Sequence, residues 1–149
     1  MKARQETLGF LVAGVARQMR RAFHQRLTDP SLELTLAQAR AQVYVSRHEG
    51  VRQVELASLL EVQPITLARL IDHLAQSGLV ERRADPADRR AYRIFLAAGA
   101  RSQLTAIDHI GSAVQAEALR GLSEMDVATL FRALRTMRDN LGAPGSAPP

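Results

Sequence analysis

The sequence contains no cysteine, which excludes a disulfide framework, a thiol redox sensor, a zinc knuckle and a thiol nucleophile. A reducing, cytoplasmic compartment fits such a chain best. No apolar run approaches the 18 or so residues that a membrane-spanning helix needs. Four histidines, at positions 24, 48, 73 and 109, show no HxxxH or HExxH spacing, so no metal site is expected. There is no GxSxG, no P-loop, no GxGxxG and no obvious pair of carboxylates, so neither an enzyme nor a cofactor is expected. Lysine is nearly missing too: Lys2 stands alone against 19 arginines.

What remains is a globular composition of 149 residues, 46% hydrophobic and 23% charged, a one-domain length. The net charge of +5 favours an anionic partner, whether nucleic acid or an anionic surface, although solubility alone also explains a basic balance. Thr7 to Ala16, preceded by Lys2 and Arg4, faintly mimics a secretory signal. However, Leu8, Leu11, Val12, Val15, Met19, Ala22 and Phe23 keep helical spacing straight through Arg17, Arg20 and Arg21. One amphipathic helix from about Glu6 to Arg26, stopped by Asp29-Pro30, is the better reading.

Thr35 with Gln38 forms a capping-box pattern that opens a second helix, closed at Gly50. A short helix over Gln53–Leu60 follows, with Val54, Leu56, Ala57 and Leu60 inward. After the turn Glu61-Val62-Gln63, another helix opens at Pro64 and runs to Ser77, with Leu67, Leu70, Ile71 and Leu74 inward, stopped by Gly78. Two β-prone runs, Leu79–Arg83 and Tyr92–Leu96, flank the charged stretch Ala84–Ala91 and predict a hairpin with a long tip. A helix from Gly99 to Gly121 is weakened by Gly111 in its middle, by about 1 kcal/mol relative to alanine. Ser123 and Asp126 open a last helix bearing Val127, Leu130, Phe131, Leu134 and Leu141, and Gly142–Pro149 reads as a flexible tail.

Two short helices joined by a tight turn and followed by a hairpin describe a winged helix-turn-helix. The expected fold is mainly α with a small β-hairpin wing, flanked by long N- and C-terminal helices. A helix that fills the major groove must present hydrogen-bonding side chains near its N-terminus while its other face stays packed. Gln63, Pro64, Thr66 and Arg69 meet that need, with His73 one turn beyond Arg69. Arg89 and Arg90 at the hairpin tip suit an adjacent minor groove, with Asp85 and Asp88 as turn formers and as partners that orient those guanidiniums. Arg82, Arg83 and Gln53 are candidates for phosphate contacts. Each has a plainer reading: Arg69 paired with Asp72, Arg89 and Arg90 as a polar edge, Arg82 and Arg83 as surface charge beside Glu81, Gln53 as an exposed cap, His73 as solvated.

The run Gln63 to Arg83 (QPITLARLIDHLAQSGLVERR), followed by Asp85-Pro86-Ala87-Asp88-Arg89-Arg90, resembles the core of the MarR family of bacterial transcriptional regulators, nearest its SlyA-like branch. The DPxDRR wing is the most specific part, and the likeness extends over nearly the whole chain. It implies one domain over residues 1–141: a winged helix-turn-helix at about 35–97, dimerisation helices at about 6–28 and 99–141, and a tail at 142–149. It further implies a homodimer on a pseudo-palindromic double-stranded DNA operator, most simply as a repressor, with half-sites about one turn (~10 bp) apart. One departure is visible, because Leu96 is followed by Ala97-Ala98 where members carry a capping threonine; losing such a cap costs about 1 kcal/mol.

Leu8, Leu11, Val12 and Val15 at one end, and Leu130, Phe131, Leu134 and Met137 at the other, offer more apolar surface than one small domain covers. A two-fold dimer is expected there, the alternative being an intramolecular core. By resemblance, Arg17, Phe23 and Tyr44 are candidates for a small aromatic or anionic effector, an arginine for a carboxylate and two rings for an aromatic body. Plain core packing and a solvated arginine remain the alternative. No membrane partner is expected. Two other readings stay open: a winged module that docks an acidic protein, and a sequence-blind architectural DNA binder.

Overall fold

The computed structural model describes residues 6–27, 30 and 34–142. It divides into two compact units, with the break between Val114 and Gln115. In the first unit, α1 (Leu8–Arg26) begins where the Thr7 hydroxyl accepts from the Phe10 N–H, and it buries none of its residues. Asp29, half of the expected stop, lies outside the described residues. The second helix, α2 (Leu36–Arg47), carries the full capping box: the Thr35 hydroxyl accepts from Gln38 N at 3.2 Å and the Gln38 side chain accepts from Thr35 N at 2.9 Å.

Helix α2 ends three residues before the expected Gly50. That glycine serves the sheet instead. At φ +80° it turns the chain into a strand, donating its N–H to Ile94 O, and a Cβ there would sit 3.3 Å from the Phe95 ring. The strand β1 (Val51–Arg52) has two residues, too few for any periodicity to announce. Helix α3 (Gln53–Leu60) has the expected bounds and ends on Glu61 in the left-handed region. Leu56, Ala57 and Leu60 are buried as the spacing requires. Val54, also expected inward, is 64% exposed, because at 3.6 residues per turn it lies to the side of the face that carries Leu56, Ala57 and Leu60.

Helix α4 (Pro64–Gln76) opens on proline and is followed by Gly78 at φ +72°. It buries Leu67, Ile71 and Leu74 and leaves Leu70 half-buried. The strands β2 (Val80–Asp85) and β3 (Asp88–Leu96) pair antiparallel, and β1 joins the other edge of β3, giving the order β1-β3-β2. Pairing enters the stretch expected to be a long loop: Ala84 lies opposite Tyr92 and Asp85 opposite Asp88, and the irregular step between these two pairs leaves Arg89, Arg90 and Ala91 of β3 with no register partner on β2. Only Pro86-Ala87 remains as the turn. Backbone ladder bonds and side-chain bonds from two aspartates extend the hairpin, and apolar spacing does not report either.

Val45, Leu56, Leu60, Leu67, Ile71, Leu74 and Ile94 form the core that joins α2, α3, α4 and the sheet. Helix α5 (Ala100–Ala118) starts without the missing threonine cap. Its entry is fixed by packing instead: Ala97 N donates to Leu79 O at 3.0 Å, and Gly99 lies so close to Gly78 that a Cβ would meet the Gly78 carbonyl at 2.7 Å. In the second unit, Gly121 turns at φ +88° and Ser123 and Asp126 cap each other's backbone. Helix α6 (Glu124–Gly142) follows and buries none of its residues. Of the expected tail, residues 143–149 lie outside the described residues. Among the described residues no helix is long and apolar enough to cross a membrane.

Candidate nucleic-acid interface

Proline at the first position of α4 and the packing of Leu67, Ile71 and Leu74 behind it turn the opposite face of that helix to solvent. Gln63, Pro64, Thr66, Arg69 and His73 are all exposed on it. Gln63 makes no side-chain capping bond to the first turn of α4. Arg69 does not take up Asp72. That carboxylate is bound instead by Arg82 of β2.

Arg82 works as an internal clamp. Its guanidinium donates to the Gln53 side-chain oxygen at 3.0 Å, to the Ala68 carbonyl at 3.1 Å and to the Asp72 carboxylate, tying α3, α4 and β2 together. Two sequence candidates, Arg82 and Gln53, are therefore bound to each other. Arg83 leans over the Phe95 ring at 4.0 Å and pairs with Glu81, its Nε donating at 2.6 Å. It stays largely exposed.

The wing is fixed by a carboxylate that the sequence pattern assigns elsewhere. Asp85, expected to orient Arg89 and Arg90, is instead buried, with its side chain on Arg52 and Arg93. Arg52 Nε donates to Oδ2 at 2.8 Å and Arg93 Nε lies 3.2 Å from the same oxygen. Oδ1 accepts the Ala87 N–H at 2.9 Å. One carboxylate thus joins the turn, the hairpin and the strand that leads into α3. The bond from Ala87 N, and then the positive charges of Arg52 and Arg93, hold its pKa below the usual carboxylate value against the opposing effect of burial. Arg52 lies 33 residues from Asp85. Reading along the chain missed Arg52, since no spacing rule joins residues that far apart, and Arg93, which meets Asp85 only through the register of the hairpin.

Asp88 does form a turn, its Oδ1 accepting from Arg90 N at 2.9 Å, which sets the backbone of the two arginines. Arg89 and Arg90 lie within β3, in the irregular step of the hairpin between Asp88 and Tyr92, and both are exposed. Two cations on the wing and Arg69 on α4 face water. Such an arrangement binds a polyanion at several phosphates at once.

A separate cavity of about 240 Å³ is lined by Met19, Arg20, Phe23, Leu36, Arg40 and Tyr44, among others. It brings together Phe23 and Tyr44 of the residues chosen for an effector, and leaves out Arg17, which is exposed. Arg20 and Arg40 border it as well, although its lining is almost wholly apolar. Gly111 borders the same cavity with no atom within 4 Å of a would-be Cβ, so the weak point of α5 coincides with open space. Of the dimerisation candidates, Leu8, Leu11, Val12, Val15, Leu130 and Leu134 are exposed, and Phe131 and Met137 are half-buried. Among the described residues, no three His, Asp or Glu side chains gather as a metal site.

The sequence pattern of the MarR family matches residues 34–92, which span α2 through most of β3. Wild-type MarR from E. coli, in its apo form, superimposes with a TM-score of 0.75 at 26% identity, over 91% of this chain and 98% of that one. A cysteine-to-serine MarR mutant from E. coli, complexed with operator DNA, matches at TM-score 0.68 and 27% identity, over 87% of this chain and 92% of that one. The transcriptional regulator PA3341 is 33% identical, with a TM-score of 0.75 over 91% of this chain and 98% of that one. The winged helix-turn-helix, the arginine-bearing wing and these likenesses agree: the chain belongs to the MarR family, whose members are transcription regulators and not enzymes.

Proposed function

We propose that this protein is a cytoplasmic, homodimeric, sequence-specific binder of double-stranded DNA that represses transcription, of the SlyA-like type. The observation that carries the reading is the set of exposed polar and cationic side chains on rigid supports: Gln63, Thr66 and Arg69 on α4, Arg89 and Arg90 on β3. Arg69 and the first turn of α4 suit the major groove, and the wing arginines suit the minor groove. The operator complex of the E. coli relative supports the same partner. Arg82 and Gln53 then serve as positioning residues that hold α4 against the wing. The apolar stripes of α1 and α6 supply a dimer surface, because neither helix buries a residue within the chain. The almost wholly apolar cavity beside Phe23 and Tyr44 suits the ring of a small aromatic effector that relieves repression, and the Arg20 and Arg40 side chains on its border are the candidates for an anionic substituent.

Fluorescence anisotropy over a salt series, on DNA from upstream of the protein's own gene and on scrambled DNA, tests the reading. Preference for the upstream fragment with a steep salt slope supports a specific regulator. Equal binding to both fragments points to an architectural role, and no binding to either points to a protein partner. Sedimentation of the protein alone tests the dimer.

A further inference from the structure

One side chain on the exposed face of α4 has the wrong chemistry for solvent. Ile65, the second residue of the helix, is 66% exposed between the exposed Pro64 and Thr66. It adds nothing to the core, which Leu67, Ile71 and Leu74 build from the other face. A β-branched residue also lowers helix propensity slightly, and its apolar surface gains nothing in water. Its neighbours on the exposed face of α4 include the polar Gln63 and Thr66 and the cationic Arg69, with no second large exposed apolar side chain on that helix, so an apolar protein patch is a poor match. DNA offers one apolar group on the major-groove edges of its bases, the thymine C5 methyl.

We infer that Ile65 is a specificity-determining residue that selects thymine through its methyl group at one position of each half-site. This inference rests on the proposed DNA-binding function and adds a base preference to it. The stiff χ1 of a β-branched side chain holds the contact surface in place before binding, so little rotamer freedom is lost on contact. At the same position a cytosine amino group or a purine edge would lose water without gaining a hydrogen bond, which penalises other bases.

The test begins with an operator selected by the wild-type protein from a random-sequence DNA pool. Each thymine is then replaced by deoxyuridine, which deletes only the methyl, and affinities are measured for wild type, Ile65→Ala and Ile65→Val. The expected result is one thymine per half-site where deoxyuridine weakens wild-type binding about fourfold, the worth of one methyl group. Ile65→Ala should be insensitive to that replacement, and Ile65→Val should retain part of the sensitivity. Wild-type affinity unchanged by every deoxyuridine replacement overturns the assignment while leaving sequence-specific binding standing. The same loss in Ile65→Ala as in wild type also overturns it. A pool from which no sequence is enriched overturns the DNA-reading function itself, and with it this inference. Because Ile65 is exposed, unchanged thermal melting of both variants is the control.

Discussion

Arg82→Ala separates two roles that one arginine can play next to DNA. The Arg82 side chain is only 24% exposed, and each of its three guanidinium nitrogens donates one bond, to Gln53, Asp72 and Ala68. The Asp72 side chain is 56% exposed, so that ion pair contributes well under about 1 kcal/mol. The bonds to the Gln53 amide and the Ala68 carbonyl are charge-assisted and better shielded, and each is worth about 1 kcal/mol after partial rehydration of its acceptor. The sum is about 2 kcal/mol, which lowers the melting temperature by roughly 4–8 °C for a chain of this size. Arg82→Lys should recover little, because an ammonium does not present three donors in a planar fork. Differential scanning calorimetry reads the stability, and anisotropy over a salt series reads DNA binding. A phosphate clamp behaves oppositely: stability unchanged, affinity lower on every sequence, salt slope reduced by about one, and substantial rescue by lysine. That pattern would refute the internal-clamp argument.

Arg69→Ala should cost about 1–3 kcal/mol on the preferred operator and little on scrambled DNA if it reads a base, measured as the ratio of the two dissociation constants. Arg90→Ala should weaken DNA binding while sedimentation shows an unchanged oligomeric state, since Arg90 is exposed on the wing. Gly99→Ala forces a Cβ against the Gly78 carbonyl and should destabilise by about 1–3 kcal/mol in urea titration. The Asp85 pKa is lowered in the folded state, so its contribution is fully present above the ordinary carboxylate pKa of 3.8 and is lost as pH falls through the lower folded value. Urea midpoints measured from pH 7 down to pH 2 should therefore fall less steeply at the acid end in Asp85→Asn than in wild type.

Helix-forming patterns were legible because each rests on neighbours within four residues. The capping box at Thr35 and Gln38, proline at the start of α4, the bounds of α3 and the apolar spacing of Leu67, Ile71 and Leu74 all follow from local chemistry. So did the composition of the candidate interface, since Gln63, Thr66, Arg69, Arg89 and Arg90 lie in two short motifs. The partners of those residues were not legible. Asp85 finds Arg52 and Arg93 across the sheet, Arg82 finds Gln53 and Asp72 across three elements, and Gly99 meets Gly78. Each such pair is chosen by which acceptor the folded chain brings within hydrogen-bond reach, or by which backbones it presses together. The two-residue strand β1 and the paired length of the hairpin likewise depend on β3 lying alongside. Sequence alone determined which faces are apolar, where helices begin and that the cationic charge is nearly all arginine. Tertiary structure alone decided which arginines are held inside the protein and which face outward, because a guanidinium pairs with whatever carboxylate or carbonyl the packing of the core delivers to it.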